Sequence, residues 1–317
     1  MTHKEEKRDK AKGTLATLCS IALLCLAVYF ATGISGRITE AVIEGMRIGA
    51  LTVLPSTFPF MIISDLYCAY GYPERIRLLG KYTKRVLHLP EKSVRALLLG
   101  NLAGFPIGAK IAAELYTGGG IDKENAEKLI AYSNNPSIPF VVACVGGTLF
   151  GDIKIGVFLL IIIYISTIIT AIIYRGQRID VQTPADISKH TFSFVSSVKG
   201  AGFSSISILS FILTFYVLIS VLRLYIENEY ILSLIASILE LASAVALTSS
   251  LTLPITLKAA LIAFALGFGG ISVMMQTAIF TSPSSLSLLP YLKIKLTEGL
   301  LSATFTFLTF PLFCYLL

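Results

Sequence analysis

Residues 155–174 read IGVFLLIIIYISTIITAIIY. No side chain in the stretch is charged. An α-helix needs about 20 predominantly apolar residues to cross the hydrocarbon core of a bilayer, so this segment predicts a transmembrane helix. Segments of the same grade lie on either side. AGFSSISILSFILTFYVLISVL at 201–222 and AALIAFALGFGGISVMMQTAIF at 259–280 carry no charge either. Gly13–Gly33 and Gly299–Leu317 are similar, while 48–70 carries only Asp65 and 231–251 only Glu240. Across the 317 residues 55% are hydrophobic and 14% charged, with mean hydropathy +0.78. Soluble domains carry about 25% charged residues. The chain therefore reads as all-α, a polytopic membrane helix bundle.

The net charge of +7 is informative through its placement. The tail MTHKEEKRDKAK holds five Lys/Arg and three acids, and GYPERIRLLGKYTKRVLHLPEKSVR at 71–95 holds seven Lys/Arg against two Glu. Arg175, Arg178 and Lys189 follow the apolar stretch at 155–174. The positive-inside rule puts all three regions in the cytoplasm, which makes this a multi-pass cell-membrane protein with a cytoplasmic N-terminus. Leu15–Ala31 is longer than a usual signal-peptide core and no small-residue cleavage site follows, so it reads as an uncleaved anchor. No basic domain with interleaved aromatics stands apart from the membrane, which argues against nucleic acid as a partner. The lipid bilayer is the implied partner, and a homo-oligomer is compatible with such a bundle.

Classical site chemistry is sparse. Cys19, Cys25, Cys68, Cys144 and Cys314 lie in apolar stretches without CxxC spacing. His3, His88 and His190 lie in the tail or the basic loops, and no HExxH or GxxxxGK[ST] occurs. No metal site and no cofactor is expected. An intramembrane enzyme needs a nucleophile beside a base. No histidine lies in a span and Asp65 has no matching second aspartate, so the chain is read as not an enzyme.

Two hydrophobic blocks flank the polar stretch RGQRIDVQTPADISKH. The organisation expected is a basic cytoplasmic tail and first transmembrane helix at 1–35, a first repeat at 36–175, a polar linker at 176–200 and a second repeat at 201–317. Each block contains an interrupted apolar segment: LLLGNLAGFPIGAKIAAEL at 97–115 and FALGFGGISVMMQ at 264–276. Lipid cannot satisfy free backbone N–H and C=O groups, so unwound chain at membrane depth survives only inside protein or beside water. Paired interruptions in two halves point to a transporter-type repeat with a site near the midplane.

The polar candidates cluster at such breaks. Asn101, Gly104 and Pro106 lie in the first, and Gly269, Gly270 and Gln276 in the second. IAYSNNPSIP at 130–139 adds Asn134, Asn135 and Ser137, whose amides offer donors and acceptors for an uncharged polar solute. Glu240 stands near the centre of its stretch, where a lone carboxylate costs several kcal/mol unless paired, protonated or facing water. Gln276 and Asn101 are its expected companions. Plainer readings fit the same residues. Gly100, Gly104 and Gly108 also make a close helix-packing face. IDKENAEKLI reads as a short amphipathic surface helix capped by Asp122, and Asn134–Pro136 as its ordinary end. Asp65 reads as interfacial, Lys110 and Glu114 as a neutralising pair one turn apart, and Glu298 as reaching the headgroups.

The stretches VLPSTFPFMIISDL, NLAGFPIGAKIAAEL, AEKLIAYSNNPSIPFVVACVGGTLFG and ALGFGGISVMMQ, followed by PYLKIKLTEGLLSA, together resemble the Gate, or nucleoside-recognition, domain. The resemblance spans roughly residues 40–315 and is nearest to sporulation integral membrane proteins of the YlbJ type. Gly104–Lys110 matches that family's Gly-aromatic-Pro-x-Gly-Ala-Lys piece, Asn134–Asn135 its Asn-Asn patch, and Gly267–Gly270 its glycine-rich second break. The family's acid is often followed by Thr and Gly. Glu240 is followed instead by Leu, Ala and Ser. The resemblance implies two Gate-like repeats with broken or re-entrant helices, kinship with concentrative nucleoside transporters, and an association with endospore formation.

Two functions follow as expectations. One is a secondary transporter of a small polar solute, nucleoside-like by resemblance, with Glu240 coupling ion or proton movement. It requires Glu240 and Asn135 to share a cavity. The other is a non-transporting scaffold of spore assembly, with a dry core and partners on the basic loop 71–95. Lys293 and Lys295, if cytoplasmic, would make 256–289 re-entrant.

Overall fold

The computed structural model describes residues 35–70, 74–176 and 193–316. The anchor predicted near the N-terminus and the polar linker through 192 lie outside them. Every regular element among the described residues is helical. Among the described residues, four helices are long and apolar enough to cross a membrane: Ile153–Ile173, Phe194–Leu222, Ile255–Ser284 and Leu289–Leu316. A bent pair, Gly36–Val53 with Thr57–Ile63, supplies a fifth where its two parts count as one span.

The first block opens with α1 (Ser35–Ile48), a π-helical turn at Gly49–Val53 and α2 (Leu54–Tyr70). The 44° bend between them coincides with Pro55 and Pro59. Each removes a backbone donor, and Pro59 sits inside α2. The basic segment folds as α3 (Glu74–Leu87). Next come α4 (Val94–Ala103) and α5 (Ile107–Thr117), joined at Gly104–Pro106. They fold back on each other: a Cβ on Gly100 would stand 2.6 Å from Gly108 Cα. Asp122 then caps α6 (Lys123–Ser133), accepting from Asn125 N at 3.0 Å, as its sequence predicts. Residues 134–137 are unwound, helix resumes at 138, and a π-helical segment follows at Phe140–Leu149. Asp152 caps α7 (Ile153–Ile173).

The second block repeats that order. After α8 (Phe194–Leu222) come α9 (Glu229–Leu239) and α10 (Leu241–Ser250). These were expected as a single crossing with Glu240 at its centre. Instead they form a hairpin with Glu240 at the tip. Ser233 Oγ on α9 lies 2.7 Å from Thr248 Oγ1 on α10, and Tyr230 O–H donates to Thr252 O at 3.4 Å. The cause is local. Glu240 is extended at φ −152°, ψ 125°, and its carboxylate caps α10. Then come α11 (Ile255–Phe268), a left-handed residue at Gly269 (φ +81°), α12 (Gly270–Thr281) and α13 (Leu289–Leu316). Each block thus runs hairpin, interrupted helix, long helix.

Each hairpin tip seats on the interruption that follows it. Gly104 (φ +82°) needs the left-handed freedom of glycine, and a Cβ there would stand 2.6 Å from Ser137 N. A Cβ on Gly270 would stand 3.1 Å from Leu239 O. The two crossings meet where Phe105 lies over Gly269.

Several surface expectations are corrected. The helix α6 is not a surface helix, since Ala126, Leu129, Ile130 and Tyr132 are buried in the apolar core. Lys110 pairs with Asp65 at 3.4 Å rather than with Glu114, which is exposed. Lys295 and Glu298 are not interfacial: both are fully buried. Lys295 therefore says nothing about which loop is cytoplasmic, and the charge argument for a re-entrant 256–289 rests on the exposed Lys293 alone. Among the described residues, Ile255–Ser284 is long enough for one crossing.

Candidate functional site

The crossed breaks line a half-open cavity of about 50 Å3. Phe105, Pro136 and Ser137 form its wall in the first block, Glu240 and Gln276 in the second, with Ile208 and Ile212 of α8 across from them. The volume suits a few water molecules. Pockets for drug-sized ligands run to about 300–1,000 Å3.

Glu240 is 3% exposed. Its Oε1 accepts from Ala242 N at 2.9 Å and its Oε2 from Ser243 N at 2.6 Å. The start of α10 presents unpaired backbone donors and the positive end of the helix dipole, and the carboxylate answers both. A capping role explains how an acid is tolerated at this depth, and its position on the cavity wall leaves one flank facing the space. Gln276, on the cavity wall, donates to Ser272 Oγ at 3.4 Å, a long and weak bond.

A second polar centre lies behind the first, where α4, α6, α7 and α13 meet. Lys295 Nζ donates to Asn135 Oδ1 at 2.6 Å and pairs with Glu298 Oε1 at 2.9 Å. Asn135 Nδ2 donates to Asn101 Oδ1 at 2.7 Å and Thr167 Oγ1 at 3.1 Å, and Thr167 Oγ1 donates to Glu298 Oε1 at 2.9 Å. The break after α6 makes this possible, because it turns two consecutive asparagines in different directions. Asn134 Nδ2 donates instead to Thr277 Oγ1 at 2.8 Å and Tyr291 O–H at 3.2 Å. Asn134 and Asn135 are both fully buried and stitch the two blocks together. Glu298 Oε2 and Asn134 Oδ1 have no protein partner. Buried acceptors of that kind are ordinarily matched by water or a bound donor.

The predicted residues thus divide. Ser137, Glu240 and Gln276 line the cavity. Gly104, Pro106, Gly269 and Gly270 build the breaks around it. Asn101 and Asn135 belong to the ion-pair centre, so Gln276 accompanies Glu240 and Asn101 does not. The carrier expectation required Asn135 and Glu240 to share a cavity, and the structure does not meet that requirement. The side chain of Asn135 is turned to Lys295, and only its neighbours Pro136 and Ser137 reach the cavity wall. The sequence reading missed Thr167, Lys295 and Glu298 as site residues. A signal existed: Tyr291, Lys295, Glu298, Ser302 and Thr306 recur every three or four residues, a continuous polar stripe along a largely apolar helix.

Over 312 residues the chain is 24% identical to the Sporulation integral membrane protein YlbJ of Bacillus subtilis (strain 168), covering 85% of this chain and 76% of that protein. No family model matches the chain, the Gate domain included. No solved structure matches it. The chain is similar along most of its length to a sporulation integral membrane protein, in keeping with its own multi-pass helical architecture.

Proposed function

We propose that this membrane protein serves endospore formation by carrying a small polar solute across the bilayer. The observation that carries the reading is the crossing itself. Two hairpin tips seat on two interrupted helices, and a buried carboxylate stands on the wall of the cavity between them. Irregular backbone at membrane depth is the pattern of carrier sites. The residues at 36–175 and 201–317 act as two repeats that rock about the crossing, with the N-terminus in the cytoplasm. The cavity's small volume corresponds to a closed conformation, and a nucleoside-sized solute enters only when the hairpins part. Glu240 is the coupling group. It exchanges its grip on the α10 N-terminus for the solute or a proton, while the Lys295–Glu298 pair holds the blocks in register. The link to sporulation rests on the similarity to the B. subtilis protein.

A specific observation favours a second reading, a scaffold that transports nothing: the cavity is far too small for a nucleoside-sized solute. Uptake of labelled nucleosides and nucleobases into proteoliposomes, with and without a proton gradient, separates the two. The carrier reading expects gradient-driven uptake above empty vesicles. Uptake at the level of empty vesicles across the panel, from monodisperse protein, favours the scaffold.

A further inference from the structure

The helix α3 has three faces. At 100° per residue, Leu78, Leu79, Tyr82 and Val86 fall within one arc of about 100°. All four are exposed, Tyr82 at 66% and Leu78 at 57%. A second arc holds Gly80 and Thr83, which are buried, and Leu87, which packs on the core. There the helix docks on the protein: a Cβ on Gly80 would stand 3.1 Å from Glu91 Cβ. The third arc holds Lys81, Lys84 and Arg85, all exposed.

Depth is fixed by what α3 touches at its end. His88 Nδ1 donates to Gly176 O at 2.8 Å, and Arg175 Nη1 donates to Val86 O at 3.4 Å. Both partners lie just beyond the C-terminal end of α7. That helix has 21 residues and is long and apolar enough to cross the hydrocarbon core, which puts its end at the membrane boundary. A helix held at that level with one apolar arc and an adjacent basic arc has the architecture of an interfacial helix. The apolar arc enters the acyl region and the basic arc meets headgroups.

We propose that α3 is an anionic-lipid binding element, seating Leu78, Leu79, Tyr82 and Val86 among acyl chains while Lys81, Lys84 and Arg85 engage the phosphodiesters of anionic phospholipids such as phosphatidylglycerol. Charge complementarity selects this occupant. Each basic residue at an anionic leaflet favours binding by about fivefold, and the preference is screened by salt. The inference is independent of whether the protein carries a solute.

The chain contains no tryptophan, so Tyr82→Trp introduces a single fluorescent reporter in the full-length protein. The variant is reconstituted in phosphatidylcholine vesicles doped with acyl-brominated phosphatidylcholine or, at equal mole fraction, acyl-brominated phosphatidylglycerol. Quenching by both lipids is expected, about fivefold or more stronger with phosphatidylglycerol and converging in high salt. Adding Lys81→Gln, Lys84→Gln and Arg85→Gln should remove the headgroup preference and retain the quenching. Leu78→Trp repeats the measurement on the same arc should Tyr82→Trp lose its monodisperse profile in detergent. Two results overturn the proposal. One is the absence of quenching by either lipid, which puts the arc in water or under a protein partner. The other is equal quenching by the two lipids at low salt.

Discussion

Glu240 and Glu298 are both carboxylates sealed inside the bundle, at 3% and 0% exposure, yet their surroundings differ in kind. Glu240 is held by two backbone N–H groups of one helix end and stands on a cavity wall. Glu298 is held by the Lys295 ammonium and the Thr167 hydroxyl, between blocks. A carboxylate gripped by backbone N–H groups can exchange them where water or a solute takes over its bonds, since no opposite formal charge is left behind. One paired with a buried ammonium cannot leave without stranding a charge. The difference separates a group suited to exchange partners from one suited to lock an interface.

Substitution should expose that difference, starting with the largest effect. Glu298→Leu leaves Lys295 buried and unpaired and should destabilise by about 3–5 kcal/mol. Adding Lys295→Met should restore much of that loss, and thermal unfolding midpoints in detergent read both. If the single and double variants unfold alike, the pair is not what makes Glu298 necessary. Next in size is Gly104→Ala, which forces a side chain into φ +82° and against Ser137, at a cost of about 2 kcal/mol. The same assay reads it, and an unchanged midpoint would mean that the first hairpin tip does not seat on the break. Glu240→Gln keeps one oxygen for the cap. It should cost only about 1 kcal/mol of stability, while abolishing uptake under the carrier reading.

The sequence announces some of this and conceals the rest for identifiable reasons. Spans such as 155–174 are legible because length and hydropathy alone define them. The breaks at Gly104–Pro106 and Gly269–Gly270 are legible because glycine and proline advertise them. The α9–α10 hairpin is not. The apolar stretch at 231–251 is long enough for a full crossing, and the reversal is made by an acid capping a helix rather than by glycine or proline. The Lys295–Glu298 centre was hidden by proximity to a span end, where charges normally meet headgroups. Its partners lie more than 100 residues away: Asn135 and Thr167, 160 and 131 positions from their bonding partners. No local pattern reports such a meeting.

The smallest expected effect lies outside the membrane, between α8 and α9. Arg223 donates to both oxygens of Glu229, at 3.0 and 2.8 Å, and that guanidinium holds the Glu229 carboxyl below its ordinary value of 4.5. The pair therefore stabilises above the ordinary carboxylate range, and its contribution is lost as pH falls through the lowered value. Both side chains are about half exposed, so screening limits the contribution to about 0.5 kcal/mol. Arg223→Gln should narrow the difference between midpoints at neutral and acidic pH by that small amount, and an unchanged difference would mean the pair is idle.

The opening of the cavity at the crossed breaks is tested most directly by chemistry on its wall. In a background with the five native cysteines replaced, Ser137→Cys is exposed to a water-soluble, membrane-impermeant thiol reagent in proteoliposomes. An alternating carrier site requires the thiol to react from the aqueous phase although it is 2% exposed in the closed form, and Glu240→Gln to change the rate. A thiol that stays unreacted in folded protein, while a surface control such as Thr117→Cys reacts fully, would show a permanently dry core and contradict the carrier.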